Sequence, residues 1–285
     1  MQELTNVSVI RDVLTRHGFT FSKSLGQNFL INPSVCPKMA AACHPGIDTP
    51  FGVLEIGPGV GVLTKELAAV AEKVVAIELD DRLFPVLNET LADCKNVTLI
   101  RGDAMKLDLR TLLCEQFGTL PVVVCANLPY YITSPLLMKL LESRLPLSCI
   151  TVLVQKEAAT RLCAAAGTRE CGSVTLAVRY FAEPSILFSV SRGSFLPAPK
   201  VDSSVIQLKL HKTPPVLPAD ERLFFDLIHA AFQKRRKTLA NSLCGAGFEK
   251  PTVLRALETA GLPPTARAEE LTLEQYAALT ACFTL

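Results

Sequence analysis

The sequence predicts an α/β protein: a mostly parallel sheet covered by helices, followed by a small all-helical domain. Three observations predict it. From Val53 to about Ala165, apolar runs of strand length alternate with helical patterns, and that alternation builds a parallel sheet buried on both faces. A proline-rich break follows at Thr213-Pro214-Pro215-Val216-Leu217-Pro218. Beyond it only helical periodicity remains. The expected domains are therefore residues 1–212 and 213–285.

Val7–Arg16 has apolar residues at 7, 10 and 14, which suits a short amphipathic helix. A polar stretch, Ser22 to Leu30, comes next. Asn32-Pro33 reads as a helix start, with Asn as N-cap and Pro in the first turn. The apolar runs Val53–Ile56, Val74–Leu79, Val97–Ile100, Val122–Ala126 and Ile150–Val154 are strands. Helical patterns near Leu63–Val70, Arg82–Leu91, Pro135–Glu142 and Glu157–Ala165 separate or follow them. Ser185–Val190 and Ser203–Leu210 are β-rich and lie close enough in sequence to form an antiparallel edge pair. The last helices are Asp220–Gln233, Arg235–Leu243, Thr252–Ala260 and Leu273–Cys282.

Of the 285 residues, 49% are hydrophobic and 20% charged, a composition that excludes a disordered chain. No apolar run reaches the ~18 residues of a membrane span. No secretory h-region is visible, and Glu3 and Asp12 do not fit an acid-poor transit peptide, so a soluble cytoplasmic protein is expected. The net charge is only +2, so any case for nucleic-acid binding must be local. The ten cysteines form no Cys-x-x-Cys. Several, such as Cys94, Cys125, Cys149 and Cys163, sit in apolar stretches, as buried thiols of a reducing compartment would.

Leu54-Glu55-Ile56-Gly57-Pro58-Gly59-Val60-Gly61 ends a strand and opens a helix. Glycines there allow a sharp turn and close approach of a ligand to the main chain. A dinucleotide fingerprint needs a third glycine three residues after the second. That place is Val62 or Thr64, depending on where the count starts, so the fingerprint fails. A phosphate-binding P-loop fails too, because no Gly-Lys-Ser/Thr follows. A nucleoside ligand without a pyrophosphate is left, beside a plain strand–helix turn. Glu78 stands 21 residues after Gly57 at the next strand end, where an acid can accept both hydroxyls of a ribose. Asp103, at the third strand end, can accept a hydrogen bond from an adenine amino group. Each acid alone would suit a helix cap or a solvated loop. Three such features at successive strand ends mark a ligand site.

The fourth strand runs into Asn127-Leu128-Pro129-Tyr130. These types suit chemistry on an adenine amine, whose lone pair is delocalised into the ring. Acceptors on its N–H groups, here the Asn127 side-chain oxygen and the Leu128 carbonyl, favour a more nucleophilic nitrogen. Pro129 stiffens the turn, and Tyr130 offers a face on which a base can stack.

The tetrapeptide resembles the Asn/Asp-Pro-Pro-Tyr-type motif of amino-group N6 methyltransferases, in the Asn-Leu-Pro-Tyr form used on RNA. Ser24 to Leu30, Glu55 to Gly59, Phe195 to Ser203 and Ala231 to Leu239 resemble further blocks, in the same order, of the ribosomal RNA adenine N6-dimethyltransferases, best in their small-subunit branch. The likeness spans about residues 22 to 243.

That resemblance implies a class I methyltransferase fold, with a seven-stranded sheet carrying one antiparallel strand and then a small helical domain. It implies S-adenosyl-L-methionine as methyl donor, S-adenosyl-L-homocysteine as product and no metal. Carried over by motif, the cofactor contacts are Asn28, Leu30, Gly57, Glu78, Asp103 and Asn127, with the target adenine between Tyr130 and Phe195. The implied substrate is a pair of adjacent adenines in the 3′-terminal hairpin loop of small-subunit (16S) rRNA, within an immature 30S-type particle, and the enzyme is expected to act as a monomer.

Lys234-Arg235-Arg236-Lys237 is the densest cationic run, and its side chains suit RNA phosphates or a solvated helix end. Lys23 and Lys200 can add contacts at the rim of the site. Two alternatives remain open: a large-subunit rRNA adenine dimethyltransferase of the kind that confers macrolide resistance, and an RNA-binding ribosome-assembly factor on a methyltransferase scaffold.

Overall fold

The computed structural model describes residues 4–22, 26–44, 49–234 and 236–284. Two compact units emerge, Met1–Ala159 with Ser185–Leu210, and Thr160–Pro184 with His211–Leu285. The longer part of the second unit begins at His211. Residues 160–184, however, group with the helical part.

In the first unit, β1 (Gly52–Ile56), β2 (Lys73–Glu78), β3 (Val97–Arg101), β4 (Val122–Asn127) and β5 (Leu147–Gln155) pair in parallel. β6 (Ala182–Val190) and β7 (Ser203–Leu210) complete a seven-stranded sheet in the order β3-β2-β1-β4-β5-β7-β6. β7 is antiparallel to β5, with Thr151 opposite Gln207. The central strands are buried along their length, Val122 to Ala126 being a continuous example, as strands covered on both faces must be.

Helices α1 (Val7–Arg16), α2 (Val35–Ala42), α3 (Val62–Val70), α4 (Phe84–Thr90), α5 (Leu109–Phe117) and α6 (Thr133–Glu142) belong to this unit. The Asn6 side chain caps α1 at the Ser8 amide, and Ile10, Val13 and Leu14 form its buried stripe. The helix expected to start at Asn32-Pro33 begins at Val35 instead. Asn32 turns its Oδ1 onto the Ser34 amide (3.0 Å) and its Nδ2 onto Ser194 Oγ (3.1 Å), which holds it outside the helix. α5 has no counterpart among the expected elements. Asp108 caps it at the Arg110 and Thr111 amides, and Phe117 packs so tightly on β1 that a Cβ on Gly52 would lie 2.3 Å from its ring.

Sheet order reverses between β1 and β4, and at such a switch point the connections diverge and leave a crevice beyond the strand ends. The loops that carry the glycine turn, Glu78, Asp103 and Asn127 all leave these strand ends. A two-residue antiparallel bridge closes one side, with Phe29 opposite Leu196 and Leu30 opposite Phe195, extended by the Ile31 amide donating to the Ser194 carbonyl (2.9 Å).

α7 (Lys156–Leu162) runs from the first unit into the second, which contains α8 (Ser173–Phe181), α9 (Glu221–Phe232), α10 (Leu239–Gly245), α11 (Lys250–Thr259) and α12 (Leu273–Thr284). Its core unites Leu176 and Tyr180 of α8 with Phe224, Leu227, Leu243, Leu257 and Tyr276. Tyr180 sits 5.4 Å from the Phe224 ring, and this burial explains why 160–184 joins the helical part. The expected helix Arg235–Leu243 starts later, at Leu239, because Thr238 Oγ1 caps the Asn241 amide. No helix among the described residues is long and apolar enough to cross a membrane.

Candidate active site

A cavity opens at the switch point. The glycine turn, the ends of β2 to β4 and the segment Gly26–Leu30 line it. The turn is built by backbone conformation. Gly57 has φ +73° and Gly59 φ +61°, a region that glycine enters without strain. A Cβ on Gly57 would meet nothing within 4 Å, so this position faces open space, whereas one on Gly59 would lie 3.0 Å from the Phe29 ring. The Gly57 amide donates to the Ile77 carbonyl (2.9 Å) and ties the turn to β2.

Glu78 is 6% exposed at the cavity wall, and its Oε1 accepts the Asp80 amide at 2.8 Å. Burial raises its pKa. The amides of Asp80, Gly59 and Leu79 oppose that rise, and the Asp80 charge adds to it. Asp103 is half-buried, and its Oδ1 accepts the Met105 amide (2.9 Å). Its ion pair with Lys106, at 3.8 Å and to a largely exposed ammonium, adds little.

Asn127 ends β4 with its Nδ2 donating to the Asn28 carbonyl (3.1 Å), 99 residues away in sequence. Among the described residues no donor reaches its Oδ1, which leaves that atom free to accept. Asn28 in turn donates to the Gly26 carbonyl (3.0 Å). The Pro129 carbonyl accepts from the Ile132 amide (3.2 Å) and Thr133 Oγ1 (3.3 Å), so the start of α6 holds the turn. Leu128 is buried, and Tyr130 lines the cavity with its hydroxyl 2.8 Å from Ser203 Oγ of β7. Burial raises the pKa of its phenol.

The structure therefore brings Asn28, Leu30, Gly57, Glu78, Asp103, Asn127, Leu128, Pro129 and Tyr130 around one cavity. Phe195 is not among its lining residues. It is 2% exposed and packed in the core, on the two-residue bridge opposite Leu30. Lys23 and Arg235 lie outside the described residues. Lys200 is exposed and does not line the cavity. Lys234, Arg236 and Lys237 are exposed in the turn between α9 and α10, not on a helix face. The ten cysteines form no disulfide; burial pushes the Cys149 thiol up to about 12, and a hydrogen bond with Cys43 together with burial raises that of Cys125.

Two site residues carry roles that the sequence did not disclose. Asp80 accepts from Gln27 Nε2 (2.8 Å) and from Arg82 Nε (2.8 Å) and Nη2 (2.6 Å), and the Arg82 guanidinium holds its carboxyl below the usual range. Gln27 also takes the Ser22 amide, so Asp80 fastens the segment before Asn28 to the end of β2. Glu55, an acid inside an otherwise apolar strand, is 1% exposed, and its Oε2 has no hydrogen-bond partner among the described residues. Burial pushes its carboxyl up to about 8, with Glu78 adding to the rise and the Thr64 hydroxyl opposing it. The visible signal for Glu55 was its place between Leu54 and Ile56.

The model of the family described as ribosomal RNA adenine dimethylase matches residues 18–284. A protein named ribosomal RNA small subunit methyltransferase A, from Geobacillus thermodenitrificans, is 44% identical over 275 residues, 95% of this chain and 93% of its own length. Among solved structures, a dimethyladenosine transferase from Plasmodium falciparum superposes with a TM-score of 0.75 at 28% identity, over 90% of this chain and 97% of that one. The 23S rRNA methyltransferase ErmE gives 0.68 at 26% identity, over 90% of this chain and all of that one. These likenesses, with the seven-stranded topology and the glycine turn at its switch point, place the fold among the class I methyltransferases. The chain belongs to the ribosomal RNA adenine dimethylase family.

Proposed function

We propose that this protein dimethylates the N6 amines of two adjacent adenines in the 3′-terminal hairpin loop of small-subunit rRNA, using S-adenosyl-L-methionine. The observation that carries this is Asn127: its amide is anchored on Asn28 at the cavity wall, while no donor among the described residues reaches its Oδ1. An acceptor held in that way can take an N6 hydrogen and favour a nucleophilic nitrogen. The Leu128 carbonyl is the second acceptor. Tyr130 supplies the stacking face, and Phe195 braces Leu30 from the core.

The residues present fit the cofactor. The open face of Gly57 gives a cradle that a side chain would fill. Glu78 suits ribose hydroxyls, Asp103 an adenine amino group, and Asn28 and Leu30 flank the turn. When bound, the cofactor supplies an electrophilic methyl group. The protein's part is to hold N6 in line with it, and positioning of that kind contributes on the order of 7 kcal/mol. Lys200, Lys234, Arg236 and Lys237 are exposed and suit phosphates, which would make binding salt-sensitive. The small subunit is favoured over the large by 44% identity to the small-subunit relative against 26% to the 23S rRNA enzyme.

The test is methyl transfer from labelled cofactor to naked rRNA, immature small subunits and mature ribosomes, with the sites mapped by primer extension. Asn127→Ala should lower the rate by on the order of a hundredfold. Full activity of Asn127→Ala would overturn the role of Asn127, and labelling confined to the large subunit would overturn the substrate.

A further inference from the structure

We infer that Lys139 is a positioning residue for recognition of the cofactor's adenine, an inference that rests on the function proposed above. Lys139 lies on α6, the helix that continues directly from the Asn127–Tyr130 turn. Its ammonium has three donors and no acceptor. The structure gives it three backbone carbonyls: Ala104 at 3.0 Å, Met105 at 2.8 Å and Leu107 at 3.0 Å. The side chain is half-buried, and among the described residues no carboxylate pairs with it. Its partners are therefore all dipoles of one loop, the loop that starts at Asp103.

The other half of that loop's hydrogen bonding points the opposite way. The Met105 amide donates to Asp103 Oδ1 (2.9 Å), and the Lys106 and Leu107 amides donate to the Asp103 carbonyl (2.8 and 3.0 Å). Amides thus converge on Asp103 while three carbonyls converge on Lys139. Carbonyl oxygens gathered this closely repel one another unless a cation sits among them, and hydrogen bonds to a charged donor are the stronger ones. Without the ammonium the loop would relax, and Asp103 Oδ1 would lose its fixed direction. At its far end α6 is held as well, by Arg110 Nη2 donating to the Ser143 and Arg144 carbonyls (2.7 and 3.0 Å). One lysine therefore connects the helix behind the Asn127–Tyr130 turn to the loop that carries Asp103, and it does not itself line the cavity.

The experiment measures binding of S-adenosylhomocysteine and of its 6-oxo analogue, S-inosylhomocysteine, by calorimetry. The full-length native protein is compared with Lys139→Met, Lys139→Arg, Asp103→Ala and the double variant Lys139→Met/Asp103→Ala. Asp103 accepts a hydrogen bond from the 6-amino group, so the native protein should prefer the amino ligand by about tenfold or more. Lys139→Met should lose most of that preference, and Lys139→Arg should restore part of it. The double variant should discriminate no worse than Asp103→Ala alone. A loss of folded protein lowers the number of sites but leaves the preference ratio unchanged, so the ratio separates positioning from stability. If Lys139→Met keeps the native preference, or if Lys139→Met lowers discrimination further in the Asp103→Ala background, the inference fails. If the native protein binds neither ligand, the proposed function fails instead.

Discussion

Replacing Glu55 by Gln should remove a pH dependence of stability that the wild-type fold carries. The Glu55 carboxyl is 1% exposed, with an orphaned oxygen, and burial moves it from the usual 4.5 to about 8. Glu78 raises it further, and the Thr64 hydroxyl is the group that opposes the rise. Between those two values the folded chain holds a proton that the unfolded chain has released. The contribution to stability is thus fully present below about pH 4.5 and is lost as pH rises toward 8. The slope is about 1.4 kcal/mol per unit of pH, so the native protein should lose about 2 kcal/mol from this group between pH 6 and 7.5. Gln has nearly the same shape and no charge, and its amide can donate to the Thr64 hydroxyl beside it. Urea unfolding of both proteins at several pH values from 5 to 9 measures the difference directly, because every other titrating group is common to the pair. The native curve should fall relative to Glu55→Gln up to about pH 8 and run parallel above it. Curves that stay parallel from pH 5 to 8 would refute the reasoning.

Three further outcomes follow from the geometry. Gly57→Ala places a methyl group where no atom lies within 4 Å but at φ +73°. It should cost about 1 kcal/mol in stability while weakening S-adenosylhomocysteine binding by about tenfold or more, read by calorimetry. Gly52→Ala drives a Cβ to 2.3 Å from the Phe117 ring and should destabilise by about 2 kcal/mol or more in urea titrations; in a Phe117→Ala background the same change should cost far less. Asp80→Asn removes the acceptor shared by Gln27 and Arg82. Since Arg82 holds the Asp80 carboxyl below its usual range, that pair stabilises above about pH 4 and fades as pH falls through the lowered value. The variant should accordingly be weaker at pH 7 and lose less on acidification to pH 3.

Much of the fold was legible because it rests on local pattern. The stripe of Val7–Arg16 and the run of Val122 to Ala126 each decide a period within ten residues, and the structure places helix and strand there. α5 and α8 escaped notice for opposite reasons. Leu109–Phe117 is short and half polar, so its stripe is thin, while Ser173–Phe181 has a clear apolar face but is rich in the β-branched and aromatic types that favour strands. At the site, Glu78, Asp103 and Asn127 were legible because each stands at a strand end. Asp80, Lys139 and the orphaned oxygen of Glu55 were not, because their roles depend on partners tens of residues away or on missing ones. Phe195 shows the same limit from the other side. Motif order sets its place in the chain, but its burial opposite Leu30 comes with a two-residue register that no linear pattern encodes.

That register has a consequence for how the protein comes into being. The wall beside the glycine turn exists only when Phe29–Leu30 meets Phe195–Leu196, and the Asn32–Ser194 contact that extends it joins residues 162 apart. Closing so long a loop is entropically costly until the intervening strands have docked. A chain growing from its N-terminus would therefore assemble β1 to β5 with the pocket still open on that side. The pocket would be completed abruptly, once the segment around residue 196 had emerged from the machinery making it.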